Sequence, residues 1–186
     1  MRIIAGKHKG RPLVAPRGQN TRPTSDRARE AVFNILTHAD WAPSLEGARV
    51  IDLFAGSGSL GLEALSRGAD FALFVETDNA ARGAIRQNIE TMSLFGSARI
   101  HRRSATQLGQ RPANLGTAFD FAFLDPPYNK DLVVPALKEL SDGGWLSNTA
   151  VVMVETGADE VLDVQEWTVM NQRVKGAAKV TFLTRP

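Results

Sequence analysis

The chain has 186 residues, of which 43% are hydrophobic and 23% are charged, a composition typical of a globular protein with one core of ordinary size. It contains no cysteine, which excludes disulfides, cysteine nucleophiles and cysteine-based metal sites. The three histidines lack the spacing of metal ligands, and no apolar run approaches the ~20 residues of a membrane span. We therefore predict a monomeric, cytoplasmic protein without a metal centre.

Charge is distributed unevenly along the chain, although the net charge is only +2. Residues 1–23 hold six basic side chains and no acid, and residues 171–186 hold four basic side chains and no acid. The middle, residues 24–170, carries twelve basic and twenty acidic side chains. Positive ends on an acidic body predict a polyanion as the binding partner.

The first 23 residues are predicted to form a small hairpin. Ile3-Ile4 can occupy a strand, and Gly6 and Gly10 can turn the chain. We divide the chain accordingly into a basic hairpin extension, residues 1–23, and a main domain, residues 24–186. A solvated, flexible tail is the alternative that the composition leaves open.

Helix-like and strand-like segments alternate through the main domain. The first helix begins after a cap at Thr24 or Ser25. Apolar runs predict strands at 49–54, 71–76, 98–101, 119–125 and 149–155. Helical stretches lie between them, notably at 78–92 and 131–141, and two closing strands joined by Lys175-Gly176 are predicted at 166–172 and 178–184. This alternation predicts an α/β fold with a doubly wound parallel sheet.

A glycine-rich loop follows the strand at 49–54. Gly56 and Gly58 allow a tight turn and a close approach of the backbone to a ligand. Glu76 lies twenty positions after Gly56, at the end of the next strand, where an acid can accept hydrogen bonds from ribose hydroxyls. With Gly61, the glycines also satisfy the dinucleotide pattern, so a nicotinamide enzyme is the rival interpretation.

Asp52 distinguishes the two ligands. A carboxylate just before the glycine loop would repel a pyrophosphate but attract a cation. S-adenosylmethionine carries a sulfonium and an ammonium and has no phosphate. We therefore favour S-adenosylmethionine over a nicotinamide cofactor, and over a glycine turn without a ligand.

A second motif, Asp125-Pro126-Pro127-Tyr128, directly follows the apolar run 119–124. Paired prolines stop the strand and remove two N–H donors, which leaves a rim of acceptors around the Asp125 carboxylate. Such a rim suits an exocyclic NH2 group, which is a double donor, and Tyr128 offers a flat face for stacking. Alone, the motif could equally be a strand end with a Pro-Pro turn. Together with the glycine loop, it predicts methylation of an amino group on a base.

The chain resembles the RsmD-like family of bacterial 16S ribosomal RNA (guanine-N2) methyltransferases nearly from end to end. Besides the two motifs above, the most specific matching segments are Arg2-Ile3-Ile4-Ala5-Gly6, Lys9-Gly10-Arg11 and Arg22-Pro23-Thr24-Ser25-Asp26-Arg27. The resemblance implies a Rossmann-like class I methyltransferase fold with a seven-stranded, mostly parallel sheet and an antiparallel last strand. It also implies a partner, ribosomal RNA, within an assembling or assembled small subunit.

Three sets of candidate site residues follow. The catalytic set is Asp125, Pro126, Pro127 and Tyr128. The resemblance implies a donor-binding set of Asp52, Phe54, Ala55, Gly56, Ser57, Gly58, Gly61, Glu76, Asp78, Ser104 and Ala105. The RNA-binding set combines basic residues of the extension with family positions: Lys7, Lys9, Arg11, Arg17, Arg22, Thr24 and Arg27. Asn88, on the helix at 78–92, is predicted to lie at the surface.

Other function classes stay open. The nearest is another amino-methyltransferase, acting on adenine N6 in DNA or on an amide in protein. Asp-Pro-Pro-Tyr is shared with the DNA enzymes, but those carry a target-recognition region for which 186 residues leave little room. More remote are an NAD-dependent oxidoreductase and an RNA-binding module that has lost its activity.

Overall fold

The computed structural model describes residues 1–17 and 24–185. Its α-helices are α1 (Asp26–His38), α2 (Ser59–Ser66), α3 (Asn79–Thr91) and α4 (Val133–Asp142). Its strands are β1 (Arg49–Leu53), β2 (Phe71–Val75), β3 (Ala98–His101), β4 (Phe119–Leu124), β5 (Leu146–Gly157), β6 (Thr168–Lys175) and β7 (Ala178–Thr184). Within these residues, no helix is long and apolar enough to cross a membrane.

The strands form one sheet in the order β3-β2-β1-β4-β5-β7-β6. Neighbours from β3 to β5 run parallel, whereas β7 runs antiparallel to both β5 and β6. Because a short turn can join only antiparallel strands, the turn at Lys175-Gly176 makes β7 antiparallel to β6. The predicted mostly parallel sheet with an antiparallel last strand is confirmed.

Side chains of the central strands alternate between two cores, as the period of a strand requires. Val50 and Phe121 pack with residues of α1, α2 and α3 on one face of the sheet. Ile51 and Ala122 pack with residues of α4 on the other face. Both faces of the sheet are therefore covered by helices, which explains why the central strands are continuous apolar runs in the sequence.

The two edges of the sheet differ. At one edge, β3 is only four residues long. At the other, β6 is mostly exposed, and its register with β7 shifts between Val169 and Asn171. Arg173 and Lys175 are exposed on this strand.

The described part of the extension, residues 1–17, forms the predicted hairpin. Ile3 N donates to Arg11 O at 2.9 Å, Gly10 N donates to Ile3 O at 2.9 Å, and Arg2 and Pro12 form an antiparallel bridge. Ile3 is fully buried in the core that contains α1 and α2. The N-terminal segment is thus packed on the main domain, and the division at residue 23 stays a prediction.

Two side chains of the main domain bind the backbone of the N-terminal segment. The buried Glu63 carboxylate on α2 accepts hydrogen bonds from Ile4 N at 2.9 Å and Ala5 N at 3.0 Å. On α3, Asn88 accepts from Val14 N at 2.8 Å and donates to Val14 O at 3.0 Å. These bonds satisfy backbone groups that the short hairpin cannot pair itself.

The predicted surface position of Asn88 is wrong. Its side chain is only 2% exposed, because it lies between Val14 and the glycine loop, where it also donates to Ser57 O at 3.1 Å. Helical periodicity placed a polar residue on the outer face, but the N-terminal segment covers that face. A buried amide with three backbone partners is well satisfied.

Candidate active site

A cavity of about 730 Å³ opens at the carboxyl ends of the parallel strands, which is where open α/β sheets bind ligands. Its volume lies in the usual range for small-molecule sites. Predicted residues from all three sets line it: Thr24, Phe54, Ala55, Gly56, Ser57, Glu76, Asp78, Ser104, Ala105, Asp125, Pro126, Pro127 and Tyr128. The topology therefore brings the two motifs together, and the roles of these residues stay predictions.

The glycine loop is braced by Glu76 at the end of β2. One carboxylate oxygen accepts a hydrogen bond from Gly56 N at 2.9 Å, and the other accepts from Asp78 N at 2.8 Å. Phe54 and Gly56 have φ values of 59° and 56°, so the loop turns through left-handed conformations at both positions. Each Glu76 oxygen keeps acceptor capacity for a donor in the cavity.

Asp52, Gly58 and Gly61 are buried and are not among the cavity-lining residues of the described chain. The Asp52 carboxylate, 1% exposed, accepts from Gly61 N at 2.9 Å. A Cβ atom at Gly61 would lie 2.5 Å from Phe74 Cε1, so only glycine fits there. Their positions make any part in donor binding indirect, through the shape and charge of the loop.

Burial raises the pKa of Asp52 well above its ordinary value. The Gly61 N–H opposes this change, whereas the nearby charges of Asp125 and Glu76 add to it. Like charges that lie close together disfavour the ionised form of each other. Three acids therefore crowd together here, and a cation placed beside them would favour their ionised forms.

Asp78, Ser104 and Ala105 also line the cavity. The Asp78 carboxylate caps α3 by accepting from Ala81 N at 2.7 Å, a structural task that the sequence analysis did not assign to it. Ser104 Oγ lies 3.0 Å from Thr106 Oγ1. Arg103 and Thr106 also line the cavity and were missed, since no motif marks the turn after β3.

The Asp125 carboxylate projects from the end of β4 and accepts a hydrogen bond from Thr24 Oγ1 at 2.7 Å. Burial, and then the neighbouring charge of Glu155, raise the pKa of Asp125 to about 7, against the effect of the Thr24 hydrogen bond. Asp125 is thus a carboxyl group that exchanges a proton near neutral pH. Thr24, predicted to contact RNA, thus donates to the catalytic candidate, and its contact with RNA stays a prediction.

The loop after Asp125 is held by two acids that the sequence analysis missed. Tyr128 donates its hydroxyl to Glu155 Oε1 at 2.5 Å, and Asn129 N donates to Glu160 Oε1 at 2.7 Å. Both acids come from the carboxyl end of β5 and the turn after it. They are 27 and 31 residues distant from their partners, so no local pattern could have revealed them.

The N-terminal segment contributes to the cavity wall. Met1, Ala15 and Pro16 line the cavity beside the glycine loop, although none was predicted as a site residue. The basic residues of the predicted RNA-binding set that the structure describes are exposed at the surface, namely Lys7, Lys9, Arg11, Arg17 and Arg27. Arg22 lies outside the described residues.

A family model described as Conserved hypothetical protein 95 matches residues 1–184. The chain belongs to this family, which is the RsmD family. The ribosomal RNA small subunit methyltransferase D of Escherichia coli strain K12 is 37% identical over 178 residues, covering 95% of this chain and 85% of the relative. Its Haemophilus influenzae counterpart, of the same name, is 36% identical, with 95% and 89% covered.

Solved structures agree with this membership. The Escherichia coli protein yhhF superposes with a TM-score of 0.83 at 35% identity, covering 100% of this chain and 97% of that one. A magnesium protoporphyrin IX methyltransferase from Synechocystis, crystallised with S-adenosylmethionine, shares the fold alone, with a TM-score of 0.64 at 12% identity. The fold is that of the class I S-adenosylmethionine-dependent methyltransferases.

Proposed function

We propose that this protein transfers a methyl group from S-adenosylmethionine to the N2 amine of a guanine in 16S ribosomal RNA. The observation that carries the proposal is the shared cavity, in which the Asp125 carboxylate faces the same space as the glycine loop braced by Glu76. The relatives named for small-subunit ribosomal RNA support the substrate class. We propose further that the protein acts as a monomer in the cytoplasm, on RNA within the small subunit.

The cavity suits a cationic donor. Three carboxylates line it, those of Glu76, Asp78 and Asp125, and the buried Asp52 lies just behind. When bound here, S-adenosylmethionine supplies an electrophilic methyl group on a positively charged sulfur. Glu76 keeps acceptor capacity for ribose hydroxyls, and the backbone of Ala55 and Gly56 lines the approach to the acids.

A nicotinamide cofactor fits the cavity less well. Its pyrophosphate would have to lie against the glycine loop, next to the Glu76 carboxylate that accepts from Gly56 N. Like charges at short range in a protein interior repel strongly. The acidic loop therefore favours a donor without phosphate.

The acceptor side suits an amino group. Pro126 and Pro127 provide no N–H, so the backbone of these two residues next to Asp125 accepts hydrogen bonds and does not donate them. Hydrogen bonds from the amine to Asp125 and the Pro126 carbonyl would turn the nitrogen lone pair toward the methyl donor. Tyr128 lines the same cavity and offers a ring on which a guanine lifted out of its helix can stack.

Asp125 can also accept the proton that the amine releases. As the new nitrogen–carbon bond forms, the amine nitrogen gains positive charge, and one of its protons becomes acidic. The Asp125 carboxylate, with its pKa raised to about 7, is placed to accept that proton. Alignment of the two reacting centres supplies the remaining acceleration, which can reach roughly 7–11 kcal/mol for well-oriented groups.

The decisive experiment incubates the protein with labelled S-adenosylmethionine and small ribosomal subunits that lack the modification. We expect label on N2 of one guanine, mapped by digestion and mass spectrometry. Naked 16S RNA, a DNA duplex with adenine targets and NADH binding are the comparisons. Label on DNA adenine, or binding of NADH without any response to S-adenosylmethionine, would overturn the proposal.

A variant with Asp125→Ala tests the assigned site. Positioned groups that handle protons commonly contribute ~10²–10⁴ in rate, so we expect single turnover to slow by roughly 100-fold or more. Donor affinity, measured by calorimetry, should change much less, because the carboxylate faces the acceptor. A near-normal rate would remove Asp125 from the mechanism.

A further inference from the structure

Glu155 lies beside the acceptor site, yet no motif marks it. It stands near the carboxyl end of β5 and is only 6% exposed. Leu124 and Val154 are partners in the parallel pairing of β4 with β5, so Asp125 and Glu155 are the next positions in register. Two carboxylates therefore lie side by side where these strands end.

Each of the two carboxylates accepts a hydrogen bond from one hydroxyl group. Asp125 accepts from Thr24 at 2.7 Å, and Glu155 accepts from Tyr128 at 2.5 Å. The bond to Glu155 fixes the hydroxyl end of the Tyr128 ring. The side of that ring lies near Gly157, where an added Cβ atom would be 3.7 Å from Tyr128 Cδ2. The end of β5 therefore holds the ring by its hydroxyl and runs beside it.

The loop that carries Tyr128 turns sharply. Asn129 and Asp131, which follow it, have φ values of 55° and 52°, in the left-handed region that these two residue types tolerate better than other side chains. The Glu160 carboxylate accepts from both Asn129 N and Gly157 N. The Glu160 carboxylate therefore links this turn to the end of β5.

We propose that Glu155 is a positioning residue of the acceptor site, which orients the Tyr128 ring through its hydroxyl and keeps Asp125 competent to accept a proton from the methylated amine. The inference rests on the proposed function and deepens it. The proton released as the nitrogen–methyl bond forms passes to a carboxylate oxygen of Asp125 and from there to solvent.

The electrostatics of the site support this assignment. After burial, the charge of Glu155 is the next cause that raises the pKa of Asp125 to about 7. The other groups around Asp125 are the Thr24 hydroxyl from the segment before α1 and the Asp52 carboxyl on β1. A proton acceptor is most effective when its pKa lies near the working pH. Without the neighbouring charge, Asp125 would be a weaker base.

The test uses Glu155→Gln, which keeps an acceptor for Tyr128 and removes the charge. Single-turnover rates at saturating S-adenosylmethionine are measured from about pH 5 to about pH 9 on small subunits. In the wild type, the rate should fall below neutral pH as Asp125 becomes protonated. In Glu155→Gln we expect that fall to occur about one pH unit lower, with a reduced plateau rate.

Two further variants separate charge from orientation. Tyr128→Phe keeps the Glu155 charge and removes the hydrogen bond. The acid limb, which is the fall in rate on the low-pH side of the profile, should therefore stay near neutral pH. In contrast, kcat/KM for RNA should fall about 3- to 10-fold. Asp159→Asn is the matched control, since it removes an exposed charge in the turn after β5 that is not among the causes of the raised Asp125 pKa. Its acid limb should not move.

A readout independent of turnover completes the design. The pKa of Asp125, followed by NMR of its labelled carboxyl carbon, should decrease in Glu155→Gln and not in Asp159→Asn. An unchanged Asp125 titration in Glu155→Gln, or a normal kcat/KM for RNA in Tyr128→Phe, would overturn the inference. If the wild-type protein transfers no methyl group, the proposed function fails on its own, and the titration still decides the Glu155–Asp125 coupling.

Discussion

At the scale of single residues, the site contains buried acids that do not stabilise the fold. Asp125 and Asp52 both have pKa values raised by burial, so each resists ionisation in the folded protein. In the unfolded chain both would ionise at their ordinary values. Such a cost at a functional site is expected where activity requires a buried carboxyl group.

Asp125→Asn should therefore stabilise the protein at alkaline pH. The folded pKa of about 7 lies above the ordinary value, so the folded state binds the extra proton between about pH 4 and 7 and loses stability as the pH rises through that window. At pH 8 we expect the variant to gain roughly 1–3 kcal/mol in free energy of unfolding, the full linkage being reduced by partial exposure. Urea denaturation at pH 8 and pH 4 measures the free energy of unfolding of both proteins. The difference between variant and wild type should vanish at pH 4.

Two glycines in helices form a matched pair, because substitution by Ala should change the free energy of unfolding in opposite directions. In Gly61→Ala the new Cβ would meet the Phe74 ring at 2.5 Å, so overpacking should cost about 1–3 kcal/mol. In Gly83→Ala on α3 the new Cβ meets nothing within 4 Å, so the helix should gain about 0.5–1 kcal/mol. Thermal and urea unfolding of both variants decide the matter. Equal effects of the same sign would contradict the assigned packing at Gly61.

At the scale of elements, the N-terminal segment and the glycine loop share one buried link. Asn88 on α3 bonds the backbone of Val14 on one side and Ser57 on the other. Ala15 and Pro16 follow Val14 and line the cavity, as does Ser57. The position of this wall therefore depends on a side chain that lies outside the cavity.

Asn88→Ala should loosen that wall. Loss of the amide leaves buried backbone groups without partners, which we expect to cost about 1–3 kcal/mol of stability. Affinity for S-adenosylmethionine should also decrease, by about 3- to 10-fold, since Ser57 and the segment after Val14 lose a common anchor. Urea denaturation and calorimetry measure the two effects. The neighbouring Gln87→Ala, exposed on the same helix, is the control and should change stability by less than about 0.5 kcal/mol.

The elements themselves could be predicted because their signals are local. Apolar runs placed the strands within a few residues, and β5 alone proved clearly longer than predicted, at Leu146–Gly157 against 149–155. Of the two cap candidates, Ser25 is the one that caps α1, with its Oγ accepting from Ala28 N at 3.1 Å. Choosing between Thr24 and Ser25 required the position of Asp125, which holds the Thr24 hydroxyl from 101 residues away.

The candidate site was predictable to the extent that its residues lie in motifs. Both motifs follow strands, and parallel strands bring their carboxyl ends to one edge, so their meeting follows from topology. Glu155, Glu160 and Asn88 could not be found in this way. Each is a polar residue in an ordinary helix, strand or turn, and only a partner distant in sequence shows its task.

At the scale of the whole molecule, an acidic cavity adjoins a basic surface. The exposed Lys7, Lys9, Arg11 and Arg17 lie on the same segment that contributes Ala15 and Pro16 to the cavity wall. A polyanion held by this segment would be directed toward the cavity mouth, while the acids inside remain available to a cationic donor. We propose that RNA binding and donor binding are separated in this way.

Replacing Lys7, Lys9, Arg11 and Arg17 with Gln should weaken RNA binding similarly across sequences, because phosphate contacts carry no base information. Four lost contacts would lower the slope of log affinity against log salt by about 3 for single-stranded RNA. Affinity across a salt series measures it, and donor affinity should persist. As a matched comparison of charge, Lys7 and Lys9 changed as a pair should lower the slope more than Arg173 and Lys175 changed as a pair. The reverse order would place RNA on the β6–β7 hairpin.

The edge strand β6 has a consequence for how the protein behaves when crowded with copies of itself. An exposed edge presents unpaired N–H and C=O groups that can recruit another chain into a growing aggregate. Here the register shift after Val169 interrupts the edge, and the exposed charges of Arg173 and Lys175 would be brought near those of any second copy. Both features oppose edge-to-edge growth during synthesis and concentration. The exposed apolar side chains of Val169 and Val174 lie on this same strand, which is therefore a poor template for self-assembly.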